Sequence, residues 1–260
     1  MSDLVTVENA AGASGVVVIT LNDAARKNAM SEALADTFAA AVASVIQRDE
    51  ARAVVVTGAG DAFSAGGDLA MLEQLCERSY AEARAHMLGF YSRFLCLLDV
   101  PVPTVAAVRG PAIGAGLCVA TACDVMVAAD DAVLAYNFVG LGLHPGMGAT
   151  LLVPRKVGAG RASELLFSAR RFSGADAAAW GLAQRTTAAE GVLGAAIELA
   201  GAIAAQGPQS VRSLKASLAI DRDALRMALE REASAQARSY ASDELREGLR
   251  ALRERRRPRF

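Results

Sequence analysis

The chain has 260 residues, 53% hydrophobic and 21% charged, with 27 basic side chains against 28 acidic ones and a formal net charge of −1. That is enough apolar material for one sizeable core, or for one domain with a helical appendage. The near balance of charge leaves no global field to attract nucleic acid, so any bound anion has to be held locally.

The chain opens on MSDLVTVENA, which carries acids and no basic-then-apolar run, so no secretory signal is expected. Val16–Leu21 and Ala53–Thr57 are β-branched runs of the kind that form buried strands. Between them Ser31 is placed to cap a helix whose apolar residues Leu34, Phe38, Val42 and Val45 recur at helical spacing. Val102–Val108 and Val125–Ala129 are two further strands. Strands alternating with helices predict an α/β core with parallel pairing. The uncharged stretch from Ala132 to Pro154 is interrupted by Asn137, His144, two prolines and several glycines, which does not suit a bilayer span. After about Gly191 the pattern turns helical, predicting Ile197–Ala205, Pro208–Leu218, Asp221–Tyr240 and Ser242–Arg253. Residues 1–190 therefore read as a core and 191–260 as a C-terminal helical region. The closing basic run Arg255–Arg257 reads as a solvated helix end rather than a nucleic-acid contact.

Cys76, Cys96, Cys118 and Cys123 form no C-x-x-C pair, and His86 and His144 lie far apart. Neither a disulfide framework nor a metal site is expected, and the expected location is the cytoplasm.

Two corners are unusually rich in glycine. One runs from Ala62 to Leu69 through Gly66 and Gly67; the other runs from Gly110 to Gly116 and opens a helix over Leu117–Cys123. Each follows a strand and precedes a helix, where glycine lets backbone approach a ligand and amide groups stand unpaired. Such amides favour negative charge. If both corners served one oxygen they would form an oxyanion hole; the alternative is two ordinary strand-to-helix corners. Neither carries a P-loop or a dinucleotide fingerprint.

With these corners the sequence resembles the crotonase (enoyl-CoA hydratase/isomerase) superfamily. The likeness rests on Ile19–Asn22 with Lys27–Ser31, Val55–Gly60 through Gly67–Leu69, Gly110–Gly116 with Cys123–Asp124, Leu141–Gly146, Ala178–Leu182, and Glu247–Gly248 to Pro258–Phe260. It implies a spiral of βαβ units followed by a helical region that packs trimers, often paired into hexamers. It implies a lyase or isomerase of fatty-acid metabolism acting through a thioester enolate, with coenzyme A as part of the substrate and no permanent cofactor. By position the oxyanion amides fall on Gly67 and Ala115. The coenzyme A chain would pass Ala25, Arg26 and Lys27, then Ala65, Gly66, Gly67, Asp68 and Leu69, beside Gly114. Lys215 stands where some relatives reach a phosphate from a neighbouring subunit.

The sequence departs from the resemblance where hydration chemistry should sit. Counting from Gly114, the two glutamate positions of family hydratases are Cys118 and Phe138, and between Glu82 and Glu164 the chain has no glutamate. An aspartate that some relatives place after the proline of the L-G-x-x-P segment is Gly146 here. Hydration requires one group to take a proton from water and another to protonate carbon. Phenylalanine does neither, and an ordinary thiol titrates too high to serve well. Tyr91, His144 and Cys118 remain as acid/base candidates, the alternatives being a helix tyrosine with a surface hydroxyl, a satisfied loop histidine and a small buried hydrophobe, with Asp68 a cap for its turn. Two functions stand side by side: an enzyme that stabilises an enolate with unusual proton-transfer groups, and a non-catalytic acyl-CoA-binding protein.

Overall fold

The computed structural model describes residues 3–260. The chain starts with β1 (Val5–Asn9) and β2 (Val16–Leu21), then α1 (Glu32–Ile46) and β3 (Ala53–Gly58). Two helices follow, α2 (Leu69–Cys76) and α3 (Tyr80–Leu95), then β4 (Thr104–Val108), the short β5 (Ala112–Ile113) and α4 (Ala115–Ala122). β6 (Val125–Ala129) and the short β7 (Leu134–Ala135) precede α5 (Ala149–Val157), α6 (Ala159–Ser168) and α7 (Gly174–Ala179). β8 (Arg185–Thr187) ends the sheet, and α8 (Val192–Ala204), α9 (Pro208–Leu218), α10 (Arg222–Tyr240) and α11 (Asp243–Arg253) complete the chain.

Six strands form one sheet in the order β1-β2-β3-β4-β6-β8, parallel throughout except for β1. Val18 pairs with Val55, Val55 with Val105 and Val105 with Val125, so the β-branched runs lie side by side. β5 and β7 make a second, two-stranded parallel sheet. β3 and β4 are buried along almost their whole length, which is why their sequences do not alternate. Leu34, Phe38, Val42 and Val45 of α1 are buried at helical spacing, and Ser31 accepts the Leu34 amide as the predicted cap. Val192, Ala196 and Ala200 of α8 are fully buried, and this helix packs on β3, β4 and β6.

The predicted β-branched runs and C-terminal helices recur with small shifts at their ends. Pro103 has no amide to give, so the strand expected from Val102 begins at Thr104, whose amide and hydroxyl both donate to Asp124. Asp221 and Ser242 cap α10 and α11 from outside by accepting the amides of Ala224 and Leu245. The basic tail turns inward in part: Glu247 accepts from Arg256, from the Arg259 amide and from Arg250, which together hold its carboxyl far below the usual range.

α10 does more than cover the core. Its Glu232 is fully buried and accepts from the amides of Gly148 (2.7 Å) and Thr150 (2.8 Å) and from the Thr150 hydroxyl (2.6 Å). These are orphan donors at the start of α5, so one carboxylate from the C-terminal region fixes the turn that carries Gly146. Burial raises the Glu232 carboxyl above its ordinary 4.5, while the Thr150 and Gly148 donors pull it back. The folded chain then keeps this proton to higher pH than the unfolded chain. Its contribution to stability is full at low pH and declines as pH rises from about 4.5 through the folded value. Glu232→Gln should flatten that decline and lower stability at pH 7 by about 1–3 kcal/mol, because an amide cannot accept from all three donors. Urea unfolding of both proteins from pH 4 to 7 measures each effect.

Candidate active site

The two glycine corners lie against each other. Ser64 donates its hydroxyl to the Asn28 carbonyl (2.8 Å) and accepts the Gly66 amide (3.1 Å), while the Ile113 amide donates to the Ser64 carbonyl (3.0 Å). Asn28 is fully buried: its side-chain amide donates to the carbonyls of Ala59, Ala62 and Phe63, and its oxygen accepts the Asp23 amide. This side chain fixes the first corner to the preceding loop. Gly116 must be glycine, because a Cβ there would stand 2.6 Å from the Ser64 Cβ.

Neighbouring amides in both corners are spoken for. Gly66 donates to Ser64, Asp68 to the Met30 carbonyl, and Gly114 to the Ala135 carbonyl. Among the described residues the amides of Gly67 and Ala115 have no acceptor. Gly67 lies between two paired amides on an extended segment, and Ala115 is the first residue of α4, preceded by Gly114 at φ 52°. A Cβ on Gly66 would lie 3.8 Å from the Ala115 nitrogen, so the two free amides belong to touching segments. Gly67 and Ala115 line one cavity of about 200 Å³, together with Phe138, Tyr91 and Gln236. Two amides without protein acceptors thus belong to residues bordering one cavity, which is the condition an oxyanion-binding site requires.

The sequence candidates distribute unevenly around this cavity. Tyr91 lines it, fully buried, and donates its hydroxyl to Gln236 Oε1 (2.7 Å); Gln236 donates in turn to the His144 carbonyl (2.8 Å). Burial pushes the phenol well above its ordinary 10, with Tyr240, Glu232 and Cys118 adding to the effect, so it stays neutral. A Cβ on Gly146 would stand 2.5 Å from the Tyr91 hydroxyl and 2.7 Å from Gln236 Nε2. The Tyr91–Gln236 pair thus occupies the space that a side chain at position 146 would need. Phe138 forms part of the cavity wall and is 6% exposed.

Cys118 and His144 stay outside that wall. The Cys118 thiol is buried against the Gly146 carbonyl (3.8 Å), and burial followed by the nearby Glu232 pushes its pKa well up. It packs as a small hydrophobe. The His144 ring faces the carbonyl of Pro145 (2.7 Å) and borders a separate surface cleft with Arg84 and Glu230. Asp68 caps α2 by accepting the Met71 amide (3.0 Å) and pairs with Arg26. Ala25 and Arg26 lie on an exposed 3-10 turn, and Lys27 ends it in the left-handed region at φ 52°. Ala65 donates to the Lys27 carbonyl (2.8 Å), which brings this turn beside Ala65–Leu69. Lys215 does not reach the cavity of its own chain; it donates to the Val102 carbonyl (2.7 Å) and to Asp124 (2.8 Å).

Gln236, Tyr240 and Glu232 were not singled out from the sequence. All three sit on α10, some 120 residues or more from the second corner, at positions 232, 236 and 240. That i, i+4, i+8 spacing marks one helix face, and three polar groups on a face buried against α3 were the available signal.

The sequence profile of the family described as enoyl-CoA hydratase/isomerase matches residues 11–260. Enoyl-CoA hydratase domain-containing protein 2, mitochondrial, of Bos taurus is 35% identical over 256 residues, covering 95% of this chain and 84% of that protein. The bacillaene synthase decarboxylase PksI of Bacillus subtilis is 28% identical over 242 residues, covering 92% and 94%. A solved enoyl-CoA hydratase/isomerase from Mycobacterium paratuberculosis superposes with a TM-score of 0.86 at 30% identity, covering 97% and 99%. The chain belongs to the enoyl-CoA hydratase/isomerase family of the crotonase superfamily.

Proposed function

We propose that this protein binds an acyl-CoA thioester, polarises its carbonyl between the amides of Gly67 and Ala115, and stabilises the enolate, without acting as an ordinary hydratase. The carrying observation is the pair of acceptor-free amides on one cavity whose wall presents Phe138 and a neutral tyrosine in place of carboxylates. Coenzyme A enters as part of the substrate, past the turn at Ala25–Lys27 and along Ala65–Leu69, with the exposed Lys27 offering a cation to its phosphates.

The groups present decide which steps are within reach. Adding water across a double bond needs a base in the cavity, and the buried thiol and the phenyl ring supply none. Burial that keeps the Tyr91 phenol neutral also makes it a weak acid, and its proton is engaged by Gln236, so water admitted to the cavity is left to protonate the enolate carbon. Reactions that reach an enolate without a base, such as loss of carbon dioxide from a carboxylated acyl group, match this set best. The likeness to a decarboxylase supports that emphasis. For assembly we favour a trimer or a pair of trimers, because Leu214 and Leu218 of α9 and Met227 of α10 are large apolar residues left exposed on the single chain. A cytoplasmic setting accords with the free cysteines.

Calorimetric binding of a non-reactive acyl-CoA, alongside turnover of 2-enoyl, 3-enoyl and carboxylated acyl thioesters, tests the reading. Tight binding with no turnover of any of them would instead favour a non-catalytic carrier of acyl-CoA. Family-typical hydration of crotonyl-CoA would overturn the assignment of Cys118 and Phe138. Ala115→Pro deletes one oxyanion donor at a first helical position that tolerates proline, and should lower kcat of the detected reaction about 100- to 1000-fold.

Phe138→Glu sets a carboxyl in the cavity wall and should raise crotonyl-CoA hydration at least about tenfold over the wild-type background, the low end of a positioned acid or base. Cys118→Glu instead buries a second carboxyl close to Glu232 and should cost several kcal/mol of stability, read by thermal unfolding.

A further inference from the structure

Two polar groups on the cavity wall have no task in holding the thioester. Tyr240, at the end of α10, is 1% exposed, and its hydroxyl finds only the Met87 sulfur at 3.3 Å. A thioether is a weak acceptor, and buried hydroxyls as a rule find oxygen or nitrogen partners. Burial keeps this phenol protonated, so it remains a donor. The second group is Arg171. It lines the same cavity, and among the described residues its guanidinium makes no hydrogen bond or ion pair. The adjacent Arg170 is fully engaged, pairing with Glu164 and stacking on Trp180. One arginine of this pair is engaged by the fold; the other, Arg171, is exposed where the cavity meets solvent.

The rest of the acyl end is apolar: Met71, Leu72, Met87 and Leu143 contribute to the wall. A plain alkyl chain would fill such a space and leave the Tyr240 hydroxyl with the Met87 sulfur alone, while the exposed Arg171 stays hydrated. A carboxylate satisfies both, accepting a hydrogen bond from the phenol and pairing with the guanidinium. The cavity holds about 200 Å³, which fits a short chain, and both residues border it.

Resting on the acyl-CoA reading above, we propose that this site selects short acyl thioesters whose acyl group carries a carboxylate, with Tyr240 and Arg171 as the residues that recognise it. Tyr240 gives direction and Arg171 supplies charge. Selection therefore weakens with added salt through Arg171 and not through Tyr240.

The test compares binding of succinyl-CoA and glutaryl-CoA with butyryl-CoA and pentanoyl-CoA, which match them in carbon count and lack the carboxylate. The wild-type protein should prefer the carboxylated esters. Tyr240→Phe and Arg171→Met should each reduce that preference by about tenfold, the scale of one hydrogen bond to a charged group, and leave the alkyl esters within twofold. Equal binding of both classes by wild type, or parallel losses for both classes in the variants, overturns the proposal while leaving the acyl-CoA reading in place. Failure of wild type to bind any of the four esters overturns both.

Discussion

The site depends on a close contact between two backbone corners, made at Ser64 and Gly116. Ser64 bonds backward to Asn28, locally to Gly66 and, through its carbonyl, across to Ile113. Its side chain sits where a Cβ on residue 116 would otherwise be. With these groups satisfied, the amides of Gly67 and Ala115 stay without a protein acceptor and belong to residues that line the cavity; Gly116 and Leu117, next in the first turn of α4, also lack an acceptor among the described residues but do not line it. Amides fixed by such a network need no reorganisation when charge develops on a bound oxygen.

The second layer of support comes from the opposite end of the chain. α10 crosses behind the cavity and contributes three polar residues along one face. Glu232 ties the start of α5, Gln236 links the Tyr91 hydroxyl to the His144 carbonyl, and Tyr240 reaches the Met87 sulfur. The Gly146 turn is therefore gripped from two sides, with Glu232 holding its far end and the Tyr91–Gln236 pair filling the space beside its Cα. A carboxylate at position 146 and the Tyr91–Gln236 pair are mutually exclusive occupants of one volume.

How much of this was legible in the sequence follows from the range of the forces involved. β2, β3 and α1 were readable because their signals are local: β-branched runs, apolar spacing and a serine cap. The two glycine corners were readable for the same reason, and the order of motifs along the chain carried the family. α3 carries signals of the same local kind, a capping box of Ser79 and Glu82 ahead of a buried face at Ala83, Met87, Phe90, Tyr91 and Phe94. Cys118 and His144 each carried two readings in the sequence, a packed or satisfied residue and an acid/base group, and only the fold decides between them. Whether a thiol faces a cavity or a carbonyl is decided by packing across the 28 residues separating it from Gly146. Arg26 shows the same limit, since only the fold reveals that Asp68 engages it.

Chemistry at this site is governed by what the cavity lacks as much as by what it offers. With Phe138 on its wall and Cys118 turned away, no group present can carry negative charge near a bound acyl chain at neutral pH, because both phenols are held protonated by burial. A low-dielectric wall of this kind penalises a charged ground state and rewards a transition state whose charge has moved onto the thioester oxygen, where two amides await it. A carboxylated acyl group would enter such a space only if a cation and a donor offset its desolvation.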